Sequence, residues 1–408
     1  MGLGQRVREL RQTRGMTQEQ LAGEELTKSF ISLLEQDKSS PSIETAALIA
    51  QRLGTSVDAL LGSQGHLPDQ VLSGLLALSA DAARHRNLSH AAELLKAAEI
   101  LVNLFPLADA GRELKLQQAQ MALEGREFAR ARELATEAGA QADDGKDLWR
   151  SARALTILGQ IGLKERKIPE AIQSLKQALT LLTQARASRD PVRVEALIFL
   201  GSALVYQGQY DDAIRRYNEA AQSQVASYHP ILRGRALWGA GAAFRHRGDL
   251  AAAFEALEAA RDIFEKSEEL PDLVSVLHNL GQVAIEDGRP KDALPYLHHA
   301  LRVLDRLPMT AERASNRTEI ARVNLMLGNI EDATAFATQA LEGARLAGDP
   351  VEVAEAQAVL ARVAFARGDS AEGTRLMRAA AAGFAARGME HRIRDLARDT
   401  GFALLEHA

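Results

Sequence analysis

Lys28, Ser29 and Ser32 are spaced to put three hydrogen-bonding side chains on one edge of a short helix, with Phe30, Ile31 and Leu34 on the other. An ammonium that can reach a guanine edge and two hydroxyls that can bond a base or a phosphate have the chemistry to read a duplex groove. The same stretch, Met16 to Ser42, supplies the elements that would hold them. Thr17 is an N-cap candidate with Gln20 three residues on to complete a capping box. Thr27 caps the second helical pattern, Pro41 ends the loop after it, and Ser42 with Thr45 starts a third. Helix, tight turn, helix with a polar outward edge is how a protein lays a helix into the DNA major groove. Arg11, Arg14, Lys38 and Ser39 flank that edge and are candidate phosphate contacts.

Positioning requires a small core. Residues 3–14 read as the first helix, with Leu3, Val7 and Leu10 as its stripe and Gly15 as its stop. Leu21, Ile31, Leu34, Ile43, Leu48, Ile49, Leu53, Val57 and Leu60 complete the apolar set. Gly62 to Gln70, GSQGHLPDQ, reads as a linker. The expected division is a head at 1–62, a linker at 63–70, a repeat region at 71–388 and a last, capping helix at 389–408.

MTQEQLA followed by SFISLLEQDKSSPSIETAALIAQRLGTSVDALL resembles the helix-turn-helix of the phage-repressor-like (XRE) regulators over about 60 residues. The turn GEELT is one residue shorter than the family's commonest form, as in members fused to tetratricopeptide repeats. The resemblance implies a five-helix head. It also adds Gln18 and Thr27 to Lys28, Ser29 and Ser32 as DNA contacts.

Beyond the linker the sequence repeats. Ala91, Ala131, Ala171, Ala213, Ala253, Ala293, Ala333 and Gly373 form one column of small residues. Ala98, Ala138, Ala178, Ala220, Ala260, Ala300, Ala340 and Ala380 form a second. Both step by 40 residues, with one step of 42 between the third and fourth members. Small residues in register let paired helices approach, and each pair buries its face only against its neighbours. LGSALVYQGQYDDAIRRYNEA, from Leu200 to Ala221, resembles a tetratricopeptide repeat, and the runs from Leu280 and Leu360 follow it less fully. The period exceeds the family's usual length of about 34 by roughly one helical turn or more. The resemblance, to the peptide-sensing quorum regulators among others, implies a right-handed superhelix of about eight repeats. Its concave wall would be lined by the first helix of each pair and would hold an extended peptide or partner segment. The inward columns name Arg153, Thr156, Gln160, Lys164, Ser202 and Tyr206 as candidates. Arg235, Trp238, Arg245, His278, Asn279, Gln282 and Arg322 continue them. Asn and Gln amides suit a peptide backbone, and arginines suit a carboxylate end.

Composition bounds the rest. The 408 residues hold no Cys, so disulfides and thiolate metal sites are excluded; aromatics are scarce at 4% and the apolar content is Ala-rich. An all-α chain is expected. No stretch approaches the ~18 apolar residues of a membrane span, so a cytoplasmic location with no membrane contact is expected. The net charge of −5 argues against indiscriminate nucleic-acid binding. Enzyme motifs are missing: no HExxH, no phosphate loop, no GxSxG. His298 and His299 are adjacent on a helix and diverge. Asp143, Asp144 and Asp147 beside Gly145 read as a solvated turn, and Gly239 with Gly241 lies in a helical repeat with no strand before it. No cofactor or metal is expected. The reading is a homodimeric operator-binding regulator whose repeats sense a ligand, with a protein-binding scaffold as the alternative. In the scaffold the head would serve only assembly.

Overall fold

The computed structural model describes residues 3–23, 25–39, 41–57, 60, 67–84, 87–105, 108–140 and 147–400. Among them there are 22 helices and no strand, as the Ala-rich, β-branched-poor sequence requires. Four helices make the head: α1 (Leu3–Thr13), α2 (Gln18–Ala22), α3 (Lys28–Glu35) and α4 (Ile43–Arg52). Much of the fifth helix expected there, and residues 63–66 of the expected linker, lie outside the described residues. Residues 67–70 already form the first turn of the next helix.

Eight antiparallel pairs follow. They are α5/α6 (Leu67–Arg84, Leu88–Leu104), α7/α8 (Ala108–Glu124, Phe128–Ala140), α9/α10 (Leu148–Lys164, Ile168–Gln184) and α11/α12 (Pro191–Tyr206, Tyr210–Ala221). After the short α13 (Gln224–Tyr228) come α14/α15 (Pro230–Arg247, Leu250–Lys266) and α16/α17 (Leu270–Glu286, Pro290–Leu304). The last pairs are α18/α19 (Thr310–Met326, Ile330–Ala347) and α20/α21 (Pro350–Ala366, Ser370–Ala385), and α22 (Glu390–Thr400) closes the described chain. Residues 401–408 of the expected capping segment lie outside the described residues.

Both columns of small residues are at the packing surface: all fifteen alanines are 0% exposed and Gly373 is buried. A turn column accompanies them. Gly208, Gly248, Gly288, Gly328 and Gly368 close the first helices of their pairs with φ between 73° and 89°, a region in which a Cβ is strained. Arg126 and Arg166 stand in the same column with φ of 63° and 61°. The chain divides into two compact units, 1–188 and 189–408. The 42-residue step is taken up in the turn between Gln184 and Pro191, where the units meet in sequence.

One buried column carries an exception. Leu114, Ala154, Ala196, Ala236, Val276 and Ala356 are each at most 3% exposed and share a register with Asn316, which is 4% exposed. Neither polar atom of the Asn316 amide has a partner. A buried polar group left unbonded costs about 1–3 kcal/mol. Asn316→Val should therefore raise the melting midpoint, by roughly 2–4 °C per kcal/mol recovered, in a calorimetric scan of the whole chain. A lower midpoint would mean that the amide is bonded through a buried water.

Candidate nucleic-acid interface and repeat groove

The head is organised around an acid. Glu35, whose side chain is 4% exposed, receives Arg11 Nε at 2.5 Å and Nη2 at 3.0 Å, and Gln18 Nε2 at 2.8 Å. Arg11 Nη1 also donates to the Met16 carbonyl at 2.8 Å. Burial pushes the Glu35 carboxyl up, but the bonds from Arg11 and Gln18 outweigh it and hold the group below the usual carboxylate range. These bonds tie α1 and α2 to the end of α3. Arg11, expected on phosphate, is thus turned inward with 12% of its side chain exposed, because α3 brings a carboxylate to the inner face. Gln18 stays half-buried with its amide nitrogen committed to Glu35.

Other arginines act as staples too. Arg6 Nε donates to Leu60 O at 2.8 Å, Arg14 Nη2 to Gly54 O at 3.0 Å, and Arg52 Nη1 to Leu21 O at 3.0 Å and to Ala22 O. Leu21 O lies in the last turn of α2, where carbonyls have no donor from further along the helix. Arg14 remains exposed beside its bond. Gly4 donates its amide to Asp37 Oδ1 at 2.7 Å, and a Cβ on it would stand 2.0 Å from Leu34 O, so only glycine lets α1 approach α3 this closely.

The recognition helix is capped as its sequence implies. Phe30 N donates to Thr27 Oγ1 at 3.1 Å, and Thr17 with Gln20 forms the reciprocal capping box at 3.1 and 2.7 Å. Thr27 is exposed at the start of the helix, and Lys28 and Ser29 are exposed beyond it. Lys28 Nζ lies 3.9 Å from Glu19 Oε2 in an open pair that solvent screens. Ser32 is half-buried and accepts from Gln36 Nε2 at 3.3 Å; Lys38 is exposed and Ser39 half-buried just past the helix. Leu33, passed over in the sequence, is 46% exposed on the same helix. A leucine out of the core on a face of hydroxyls was its signal.

In the repeats the arginines hold acids on neighbouring first helices. Arg153 bonds Glu113 and lies over Trp149, while Gln160 is half-buried and Lys164 exposed. Thr156 does not line a groove: it is 1% exposed, and its hydroxyl donates to Ala152 O at 2.9 Å. In the second unit Arg235 Nε meets Asp272 Oδ2 at 2.6 Å and Arg245 Nε lies 3.8 Å from Glu286. Ser202 and Asn279 donate to carbonyls of their own helices at 3.1 and 2.8 Å, and Ser202 Oγ also lies 3.0 Å from Tyr217 Oη. Tyr206 is 55% exposed; Trp238 is half-buried against the core of its repeat. Burial lowers His278, with Glu319 opposing and Arg245 and Arg322 assisting. The ring of Tyr217 explains Gly239, where a Cβ would fall 2.2 Å from Tyr217 Cε1; Gly239 and Gly241 are packing glycines. His298 stands edge-on to Phe336 and His299 faces Glu265. Asp147 caps α9, while Asp143, Asp144 and Gly145 lie outside the described residues.

Gln282 and Arg322 meet at a pocket of 370 Å³ built from α16, α18, α20 and α22. Gln282 Nε2 donates to Glu319 Oε2 at 3.3 Å. Arg322 bonds Glu319 and reaches Glu355 Oε2 at 3.2 Å, and Arg392 bonds Glu355 from the far side. Thr318 and Glu352 complete the wall.

In comparison with known proteins, residues 7–60 match the helix-turn-helix family, 150–224 a tetratricopeptide repeat and 228–396 the MalT-like TPR region. An immunity repressor protein of Bacillus phage phi105 is 37% identical over 65 residues, which are 16% of this chain and 45% of that protein. The chain thus spans under half the length of that relative. Two solved structures share the fold. The quorum sensor NprR of B. thuringiensis in its apo form has 12% identity and a TM-score of 0.53, covering 81% of this chain and 97% of that one. The aspartyl phosphate phosphatase F of Bacillus subtilis has 13% identity and a TM-score of 0.52, covering 93% of each chain. At these identities the likeness concerns the fold. The chain thus joins a stretch that matches the helix-turn-helix family to stretches that match tetratricopeptide-repeat families.

Proposed function

We propose that this protein binds a twofold operator as a homodimer and that a peptide in its repeat groove controls that binding. The observation that carries the DNA half is the recognition helix. It is capped at Thr27, fixed from behind by Glu35, and offers Lys28, Ser29, Ser32 and Leu33 outward. Lysine suits a guanine edge, the hydroxyls suit bases or phosphate, and leucine suits a thymine methyl. Thr27, Arg14, Lys38 and Ser39 are the remaining proposed contacts, and Gln18 could add its amide oxygen. The relatives accord with both halves of the proposal, one being an immunity repressor and the other a quorum sensor. Gln160 and Lys164 in the first unit, and the Gln282 amide oxygen in the second, are polar groups that a peptide could use. Ligand would alter the repeat stacking and so the spacing of two recognition helices, which must span ~34 Å to reach successive major grooves.

Footprinting on the promoter DNA beside the gene tests the reading. A protected dyad is expected, and Lys28→Ala should weaken specific binding by about 1–3 kcal/mol, roughly 5–150-fold, with the melting curve unchanged. No protected dyad at any salt concentration would defeat operator binding. Unchanged affinity would remove Lys28 from the contact set.

A further inference from the structure

We infer that the pocket between α16, α18, α20 and α22 is a receptor for a cationic nitrogen, the ammonium or guanidinium of a peptide, with Glu352 as its counter-charge. The inference rests on reading the repeat groove as the ligand site and adds the chemistry that the ligand must carry.

Three carboxylates, Glu319, Glu352 and Glu355, face two guanidiniums, Arg322 and Arg392, in this pocket. The pairing is unequal. Arg322 is committed to Glu319 and Glu355, and Arg392 to Glu355. Glu352 bonds only hydroxyls, those of Thr318 and Ser315, and Arg322 acts on it at longer range. It is nevertheless 8% exposed, and the Thr318 that holds it is 2% exposed. A carboxylate taken out of water costs free energy unless a cation meets it. Burial accordingly pushes the Glu352 carboxyl up, and Glu355 and Asp349 push it further.

The surplus charge sits at the wall of a cavity with room for a side chain rather than at a dry packing contact. Thr318 donates to Glu352 and fixes its orientation, so the carboxylate is set in place before any ligand arrives. An entering ammonium or guanidinium would restore neutrality and gain a charge-assisted hydrogen bond. The five charges come from three elements, α18, α20 and α22, and Gln282 of α16 bonds Glu319, so an occupant would touch several elements at once. That is the contact a groove ligand needs to bias the stacking of its repeats.

The test is calorimetric titration of the full chain with three probes. They are a pool of acetylated pentapeptides each carrying one Lys or Arg, the same pool with Gln in place of the basic residue, and spermidine. The basic pool should bind and the Gln pool should not. Glu352→Gln keeps the shape and the hydroxyl partners, should melt no lower than the parent, and should weaken the basic pool roughly tenfold to hundredfold. Glu331→Gln, an exposed acid at the start of α19, should change nothing and controls for general attraction to an acidic surface. Equal binding of both pools, indifferent to Glu352→Gln, would overturn the cation site and leave peptide sensing standing. Spermidine binding that needs Glu352 while neither pool binds would uphold the cation site and sink the peptide reading. Binding of no probe at all would sink both.

Discussion

Arg11→Met is expected to cost the head about 3–5 kcal/mol, the range for leaving one member of a buried ion pair alone. The stranded group is Glu35, which would keep only the Gln18 amide at 2.8 Å. Because Arg11 also ties down the Met16 carbonyl, the turn between α1 and α2 should loosen as well. Hydrogen exchange resolved by peptide is the measurement, since α1 to α3 should lose protection while the repeats of residues 189–400 keep theirs. Arg11 on phosphate would behave otherwise. Removing a phosphate contact leaves exchange untouched and reduces the salt slope of DNA binding by roughly one, and that result would overturn the structural role. The pH dependence has a definite sign. The Glu35 carboxyl is held below its usual range, so its contribution is fully present above the ordinary carboxylate value and is lost as pH falls through the lowered one. The gap between parent and Arg11→Met should therefore be widest near neutrality and close in acid. Arg11→Met combined with Glu35→Leu, which removes both charges, should recover much of the loss.

This pair also shows what the sequence could convey. Periodicity placed the helices because each element agrees with its own pattern. The capping box at Thr17, the cap at Thr27 and both alanine columns depend on residues within one or two turns, and all stand where the spacing puts them. Partners across 24 residues, as for Arg11 and Glu35, are set by packing and have no local period. A charge follows the same rule in the repeats, where the helix pattern could be read but the ion pairs between first helices could not. Arg153, Arg235 and Arg322 were expected to wait for a ligand, and each holds an acid of another helix. Thr156 read as a groove hydroxyl because its column is inward in the family, yet here it bonds its own helix and is buried. One hint was present: Glu35 lies beside Leu34 and four residues after Ile31, and an acid next to an apolar stripe must find a cation.

Phe105→Ala should have the other large effect, because the side chain belongs to the head's core without belonging to the head. It follows α6 of the first repeat pair, is 4% exposed, and packs with Leu101 and Leu104 among Val7, Leu21, Ile49 and Leu53. Truncating a buried Phe costs about 3–5 kcal/mol, the methylene loss plus the cavity. The loss should appear in the head, where exchange protection of α1 and α4 should fall. Phe128→Ala is the matched control: that ring packs within the core of α7 to α9 and should leave the head's protection unchanged. The contact matters for function because it is the packed route, beside the covalent one, from first repeat to recognition helix. If ligand acts through that route, Phe105→Ala should keep operator binding at low temperature, where the head is still folded, and lose the response to ligand. Unchanged head protection would show that the head does not rest on the repeat. Normal protection loss with a full ligand response would assign the coupling to the chain connection alone.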